Sequence, residues 1–200
     1  MQSDLALRLF LSGPAGAGKT EVARILEIQH GFARVSLGDL CREECRLRDW
    51  PADRKHLQAA GDALRAGNQS RLAILALAQV RGRTGPVVIE GVRLQAEARY
   101  LRARGCIGIA VEAPEALRAA RLLVRDGSSR VPQHRTEREA GTLPADLRLQ
   151  NGEDRQALER QVRLMVARAA LLQAERVSRV HQARPARATG RRREPAAIER

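Results

Sequence analysis

Aromatic side chains are nearly missing from this 200-residue chain: Phe10, Phe32, Trp50 and Tyr100 are the only four. Folds that bind single-stranded nucleic acid by stacking bases on aromatic platforms need more rings than that. Long apolar runs are missing as well. None approaches the roughly 20 residues that span a bilayer, so no membrane-embedded role is expected. The apolar start, Leu5 to Leu11, is too short for a signal peptide and lacks its basic flank and cleavage site. Cysteine is scarce: Cys41, Cys45 and Cys106 form an odd set without paired metal-ligand spacing. That usage fits a reduced, cytoplasmic protein. Lysine is rarer still, with Lys19 and Lys55 the only two among 36 basic residues.

What is present is enough for a packed domain. Hydrophobic residues make up 44% and charged residues 30%, which supports a core and argues against general disorder. The net charge is +13. Seven arginines against two glutamates from Ser178 to Arg200 account for +5, leaving +8 on the body. A basic body fits an anionic ligand such as a nucleotide, and also loose contact with nucleic acid.

Hydrophobic runs and breakers alternate along the chain. Strands are expected at Leu5 to Ser12, Ala33 to Ser36, Pro86 to Glu90, Ile107 to Val111 and Leu147 to Gln150. Helices are expected at Thr20 to Gln29, Asp39 to Leu47, Pro51 to Ala66, with proline at its start, and Gln69 to Arg81. Three more follow at Leu94 to Arg104, Glu115 to Arg125 and Asp154 to about Val177. From about Arg184 the Ala/Arg/Pro-rich end reads as disordered. The alternation implies an α/β fold with a parallel sheet covered on both faces. Ligands of such sheets sit at the carboxyl ends of the strands. Those ends carry Ser12-Gly13, Ser36 to Asp39, Glu90 to Arg93, Glu112 and Asn151.

Gly13 to Thr20 reads G-P-A-G-A-G-K-T and satisfies G-x-x-x-x-G-K-[ST] at every fixed position. Gly13, Pro14, Ala15, Gly16, Ala17 and Gly18 form the loop whose backbone N–H groups converge on phosphate, proline contributing shape without a donor. Its glycines allow the close approach a phosphate needs. Lys19 is the residue that reaches the β- and γ-phosphates, and the Thr20 hydroxyl helps hold Mg2+. A flexible glycine turn is the plain alternative, but the loop follows a strand and opens a helix. One of only two lysines occupies the position the motif requires.

From about Leu7 to Val177 the chain resembles the nucleoside monophosphate kinase group of P-loop kinases, adenylate kinases and their dephospho-coenzyme A kinase-like relatives. Beyond the phosphate loop, three segments carry the resemblance. Ser36 to Arg42, S-L-G-D-L-C-R, resembles the S-x-G-D-x-x-R of adenylate kinases, which implies that Arg42 contacts the acceptor's phosphate. Asp39 is read as the helix N-cap beside it; capping and a solvated arginine alone would account for the same two residues. Val87 to Arg93, V-V-I-E-G-V-R, resembles the strand, acidic residue, glycine and arginine of the group. It implies Glu90 near Mg2+ through water and Arg93 at the acceptor or the transferring phosphate. Glu90 stands where the family usually has Asp, and a carboxylate there is costly unless a cation meets it.

The third segment, Arg121-Leu-Leu-Val-Arg125, matches the R-x-x-x-R at the lid entry. It implies that Arg121 packs on adenine and Arg125 contacts ATP phosphates, although such a pair is common in an arginine-rich chain. Asn151 is placed with them on the ATP side. Asp126 to Gly141 would be a short lid bearing Arg130, Arg135 and Arg138, without the cysteines of a zinc-bearing version. For Arg135 and Arg138 a plain surface loop is the preferred reading. Cys41 and Cys45, four apart on one helix, read as half-buried packing groups.

The resemblance implies a P-loop NTPase three-layer sandwich with a five-stranded parallel sheet. A helical acceptor-binding insertion is expected at about 39–82, a lid at about 126–141, and a basic tail at 181–200. It implies ATP and Mg2+ as cofactors, with Lys19, Asp39, Arg42, Arg93 and Arg125 catalytic and Thr20 and Glu90 on the metal. The reaction implied is transfer of the ATP γ-phosphate to a small phosphorylated acceptor, a nucleoside or deoxynucleoside monophosphate, by a monomer or homodimer. Two alternatives stay open. One is a dephospho-coenzyme A kinase-like activity on a ribose hydroxyl, with Asp39 as base. The other is an ATP-binding protein that contacts nucleic acid through its basic tail.

Overall fold

A computed structural model of the chain describes residues 6–126 and 139–182. Five short apolar runs form its strands: β1 (Arg8–Ser12), β2 (Ala33–Ser36), β3 (Val87–Glu90), β4 (Ile107–Glu112) and β5 (Leu147–Gln150). They make one sheet in the order β2-β3-β1-β4-β5, and every pairing is parallel. All four residues of β3 are buried, which is why its β-branched run V-V-I shows no polar alternation.

Seven helices complete the described residues: α1 (Lys19–His30), α2 (Leu37–Leu47), α3 (Arg54–Arg65), α4 (Arg71–Gln79), α5 (Gln95–Ala103), α6 (Glu115–Asp126) and α7 (Arg155–Gln182). Successive strand residues point to opposite faces, so β1 feeds two cores. Leu9 and Leu11 join Val22, Ile25 and Leu26 of α1 and Val162 and Met165 of α7. Phe10 joins Leu37 and Cys45 of α2, Leu72 of α4 and Leu101 of α5. The expected three-layer α/β sandwich is therefore present. Among the described residues no helix is long and apolar enough to cross a membrane.

Local chemistry moves several boundaries. β2 runs straight into α2, and the cap is Ser36, not Asp39: the Ser36 hydroxyl accepts the Asp39 N–H at 3.2 Å. Both are good capping types, but Ser36 holds the extended backbone of the strand end (φ −111°), which leaves Asp39 in the first turn. Pro51 does not open α3. Asp53 caps it, accepting the His56 N–H at 2.9 Å. Cys41 and Cys45 are buried, not half-buried, inside the second core. Helix α7 continues past Val177 to Gln182. Most of the expected lid, with Arg130, Arg135 and Arg138, and the basic tail from 183 lie outside the described residues.

Candidate active site

The phosphate loop leaves β1 at Ser12 and enters α1 at Lys19. Gly16 (φ +77°) and Gly18 (φ +91°) both hold left-handed backbone, where side chains are strained. Each also touches a neighbouring element closely. A Cβ on Gly16 would lie 2.6 Å from the Arg118 carbonyl oxygen of α6, and one on Gly18 would run into Asn151 Nδ2. The loop's glycines are therefore demanded by the protein's own packing as well as by the approach of a phosphate. Gly18 is also the N-cap of α1 and has no side chain to cap it. A helix N-terminus, with its N–H groups and dipole, is where an anion is favoured.

Lys19 Nζ arches over the loop and donates to the carbonyls of Gly13 and Pro14, both at 2.8 Å. Thr20 Oγ1 donates to Glu90 Oε2 at 2.9 Å. Glu90, at the end of β3, is only 5% exposed. The cation that makes its burial tolerable is Arg34 of β2, whose Nε donates to Glu90 Oε1 at 2.7 Å and whose guanidinium is ion-paired with the same oxygen. Partial burial pulls the Arg34 pKa down, but the Glu90 hydrogen bond and charge, with Asp39 and Glu27, raise it overall. Nothing in the motifs pointed to Arg34. A charged residue inside a four-residue strand, beside a strand ending in a carboxylate, was the available signal. Mg2+ commonly takes one or two protein oxygens and completes its shell with water and substrate phosphates. The Thr20 hydroxyl and Glu90 carboxylate are hard oxygen donors of that kind.

One flank of the loop is built by α6 and the end of β5. Asn151 is 4% exposed, and its Nδ2 donates to the Ala17 carbonyl at 2.8 Å. Its own N–H donates to the Glu112 carbonyl at 2.7 Å, which fixes it at the strand ends. Arg121 of α6 reaches the Gly16 carbonyl at 3.3 Å and the carbonyl and side-chain oxygens of Asn151 at 3.4 Å. Arg125, one turn further along α6, is exposed. Arg121 and Asn151 thus meet at the loop, with Arg118 beside them through its backbone.

The opposite flank is formed by α2 and the turn between β3 and α5. Gly91 brings them together: a Cβ there would sit 3.5 Å from Leu37 Cβ and 3.6 Å from Gly38 N. Arg42 and Asp39 pair with each other at 2.6 Å, and both side chains are more than half exposed. The Arg93 N–H donates to Glu97 Oε2 at 3.0 Å. Glu97 and its partner Arg65 are a buried pair that sequence reading did not single out. The chain returning after residue 138 crosses between the flanks. Ala140 accepts the Gly13 N–H at 3.1 Å, and Glu139 Oε2 accepts the Gln95 N–H at 3.4 Å.

The family profile described as an AAA domain matches residues 9–142. No curated protein matches the sequence. Similar solved structures include a gluconokinase from Sinorhizobium meliloti, with TM-score 0.51 and 16% identity over 89% of this chain and 98% of that one. Shikimate kinase from Acinetobacter baumannii, in complex with shikimate, gives TM-score 0.52 and 18% identity over 82% of this chain and 92% of that one. Shikimate kinase from Aquifex aeolicus gives 0.52 and 11%, over 82% and 99%. At these identities the likeness is one of fold, that of the P-loop kinases.

Proposed function

The chain belongs to the AAA-domain family, and from that premise we propose that it is an ATP-dependent phosphotransferase acting on a nucleoside or deoxynucleoside monophosphate. The observation that carries this reading is the arrangement around the loop. Lys19 and the Thr20–Glu90 pair stand at its centre, Arg121 and Asn151 on one flank, and Arg42 with the Arg93 turn on the other.

In this reading the loop's N–H groups receive the ATP phosphates, and Lys19 Nζ exchanges the Gly13 and Pro14 carbonyls for the β- and γ-oxygens. Arg121 lies against the base and Arg125 contacts the phosphates. Thr20 and Glu90 are the residues that would hold Mg2+, which would supply charge neutralisation to the phosphates. Arg42 and Arg93 orient the acceptor's phosphate for in-line attack. Phosphoryl transfer needs positioning and positive charge more than covalent enzyme chemistry, and an acceptor phosphate already carries the nucleophilic oxygen. The helices α2 to α4 serve as the acceptor-binding insertion.

A second reading takes a hydroxyl acceptor, such as the ribose of dephospho-coenzyme A. Asp39 supports it, since a carboxylate on the acceptor flank is what a hydroxyl needs as base. The gluconokinase and shikimate kinase of similar fold keep it in play. The test is ADP formation from ATP with AMP, CMP, GMP, UMP, dTMP, dephospho-coenzyme A, gluconate and shikimate offered one at a time. Turnover with a monophosphate, yielding the diphosphate, supports the first reading. Turnover only with a hydroxyl acceptor transfers the case to the second, and no acceptor-dependent ADP at all overturns both.

A further inference from the structure

Two opposite charges are buried on the acceptor flank, away from the loop. Glu97 of α5 is 0% exposed and Arg65 of α3 is 6% exposed. Glu97 Oε1 receives Arg65 Nε at 2.9 Å and a second guanidinium nitrogen at 2.9 Å. Its other oxygen accepts the N–H groups of Arg93 at 3.0 Å and Leu94 at 3.1 Å. Leu94 is the N-cap of α5 and has no polar side chain, so the start of this helix is held from within by Glu97, three residues on.

Burying such a pair costs desolvation, and apolar side chains of similar volume often serve packing as well or better. The use of the pair is therefore to be sought in the geometry it imposes. Arg65 is itself seated by its helix: Gly61, one turn earlier, leaves the space, and a Cβ there would lie 2.9 Å from a guanidinium nitrogen. Arg65 then fixes Glu97, and Glu97 fixes the backbone of the Arg93–Leu94 turn. The Cys41 thiol of α2 lies among the same charges. Burial pushes its pKa up, while the Arg65 and Arg93 guanidiniums pull it back.

We propose that Arg65 and Glu97 are positioning residues that set the turn presenting Arg93 to the acceptor and tie that turn to helix α3. The placement of Arg93 thereby follows the helices between β2 and β3. The inference rests on the acceptor reading of Arg93, and its test separates the two.

Glu97→Gln removes the charge while keeping an oxygen for the two N–H groups, and Arg65→Lys keeps the charge while losing the fork. Both are compared with Arg93→Ala and with the Glu97→Gln/Arg93→Ala double variant. AMP, CMP, GMP, UMP and dTMP are the acceptor probes, and ATP affinity is titrated without acceptor. Each single variant is expected to raise acceptor KM by about fivefold or more with ATP affinity within about twofold. Glu97→Gln should add less than about twofold on top of Arg93→Ala, because both act through one group. Amide hydrogen exchange at Arg93 and Leu94 should speed by about tenfold in Glu97→Gln and Arg65→Lys while the strand amides stay protected.

Additive effects of Glu97→Gln and Arg93→Ala, or an equal loss of ATP affinity, would overturn the proposal. If Arg93→Ala leaves every acceptor's KM unchanged, the acceptor reading of Arg93 fails. The exchange data then decide the rest: faster exchange confined to Arg93 and Leu94 keeps the tie to α3, and unchanged exchange overturns it. If Glu97→Gln does not fold, Arg65→Lys carries the same comparison.

Discussion

The two flanks of the phosphate loop are built in opposite ways. On the α6 and β5 side, contacts join residues far apart in the chain: Arg121 to Gly16 across 105 positions and Asn151 to Ala17 across 134. Asn151 is buried and bonds through both backbone and side chain. On the α2 side the exposed pair is local, with Asp39 and Arg42 three residues apart and more than half in solvent. An exposed pair of this spacing contributes only about 0.2–0.5 kcal/mol. A phosphate can therefore draw Arg42 away from Asp39 at little cost, whereas Asn151 and Arg121 are in place beforehand. Asn151 and Arg121 are thus preorganised, whereas on the α2 side only Arg42 is free to move, the Arg93 turn being held by the buried Glu97.

Lys19→Ala strikes the point common to both flanks and should have the largest effect. Turnover is expected to fall by about 10²- to 10³-fold or more, about 3–4 kcal/mol of transition-state stabilisation. The melting temperature should move by less than about 3 °C. Unchanged turnover in a folded variant would remove the frame in which the flanks are compared.

Asn151→Ala should weaken ATP by at least about tenfold and also destabilise the fold. It leaves the buried Ala17 carbonyl unmet, a cost of about 1–3 kcal/mol, read as a drop in melting temperature of roughly 3–9 °C. A lower melting temperature with ATP affinity unchanged would make Asn151 scaffold alone.

Arg42→Ala should do the reverse. Acceptor KM should rise about tenfold, as expected for a lost arginine–phosphate contact of about 1.5–3 kcal/mol. ATP affinity and melting temperature should stay near the parent's. Loss of ATP affinity with the acceptor spared would break the division into flanks.

The smallest effect concerns thiols. Burial pushes the Cys106 pKa up to about 11, and burial also raises Cys41, opposed by Arg65 and Arg93. A pKa raised on folding favours the neutral thiol in the native state. The Cys106 contribution to stability is thus complete below its ordinary value of 9.0 and fades as pH climbs toward about 11. At pH 8, mass spectrometry after limited alkylation should find both thiols slow in native protein, with Cys41 faster than Cys106. Equal rates would say that the α2 side opens no more readily than the rest of the core.

Much of this was legible beforehand because some chemistry leaves the chain few choices. A loop that must converge N–H groups on phosphate writes itself as glycines followed by Lys19 and Thr20. A strand buried on both faces writes itself as Val87-Val88-Ile89. The pairs formed by packing left no such mark. Arg34 meets Glu90 only because β2 lies beside β3, and Arg65 meets Glu97 only because α3 and α5 both pack against α4. Among 36 basic residues, 34 of them arginine, one more arginine carries little signal. Ser36 and Asp39 are both capping types, and the direct passage of strand into helix chose between them.

The order of the strands carries a consequence for how the chain comes to be folded. β1 is made first but occupies the middle of the sheet, and the loop after it leans on Asn151, 134 positions beyond Ala17. Contacts that span so much chain close late. The phosphate-binding motif is thus complete in sequence long before anything holds it in shape. On the proposed reading, ATP would have no formed site until β5 has joined the sheet. From then on it would stabilise the finished protein by mass action, so that nucleotide affinity would be acquired at the end of folding and report its completion.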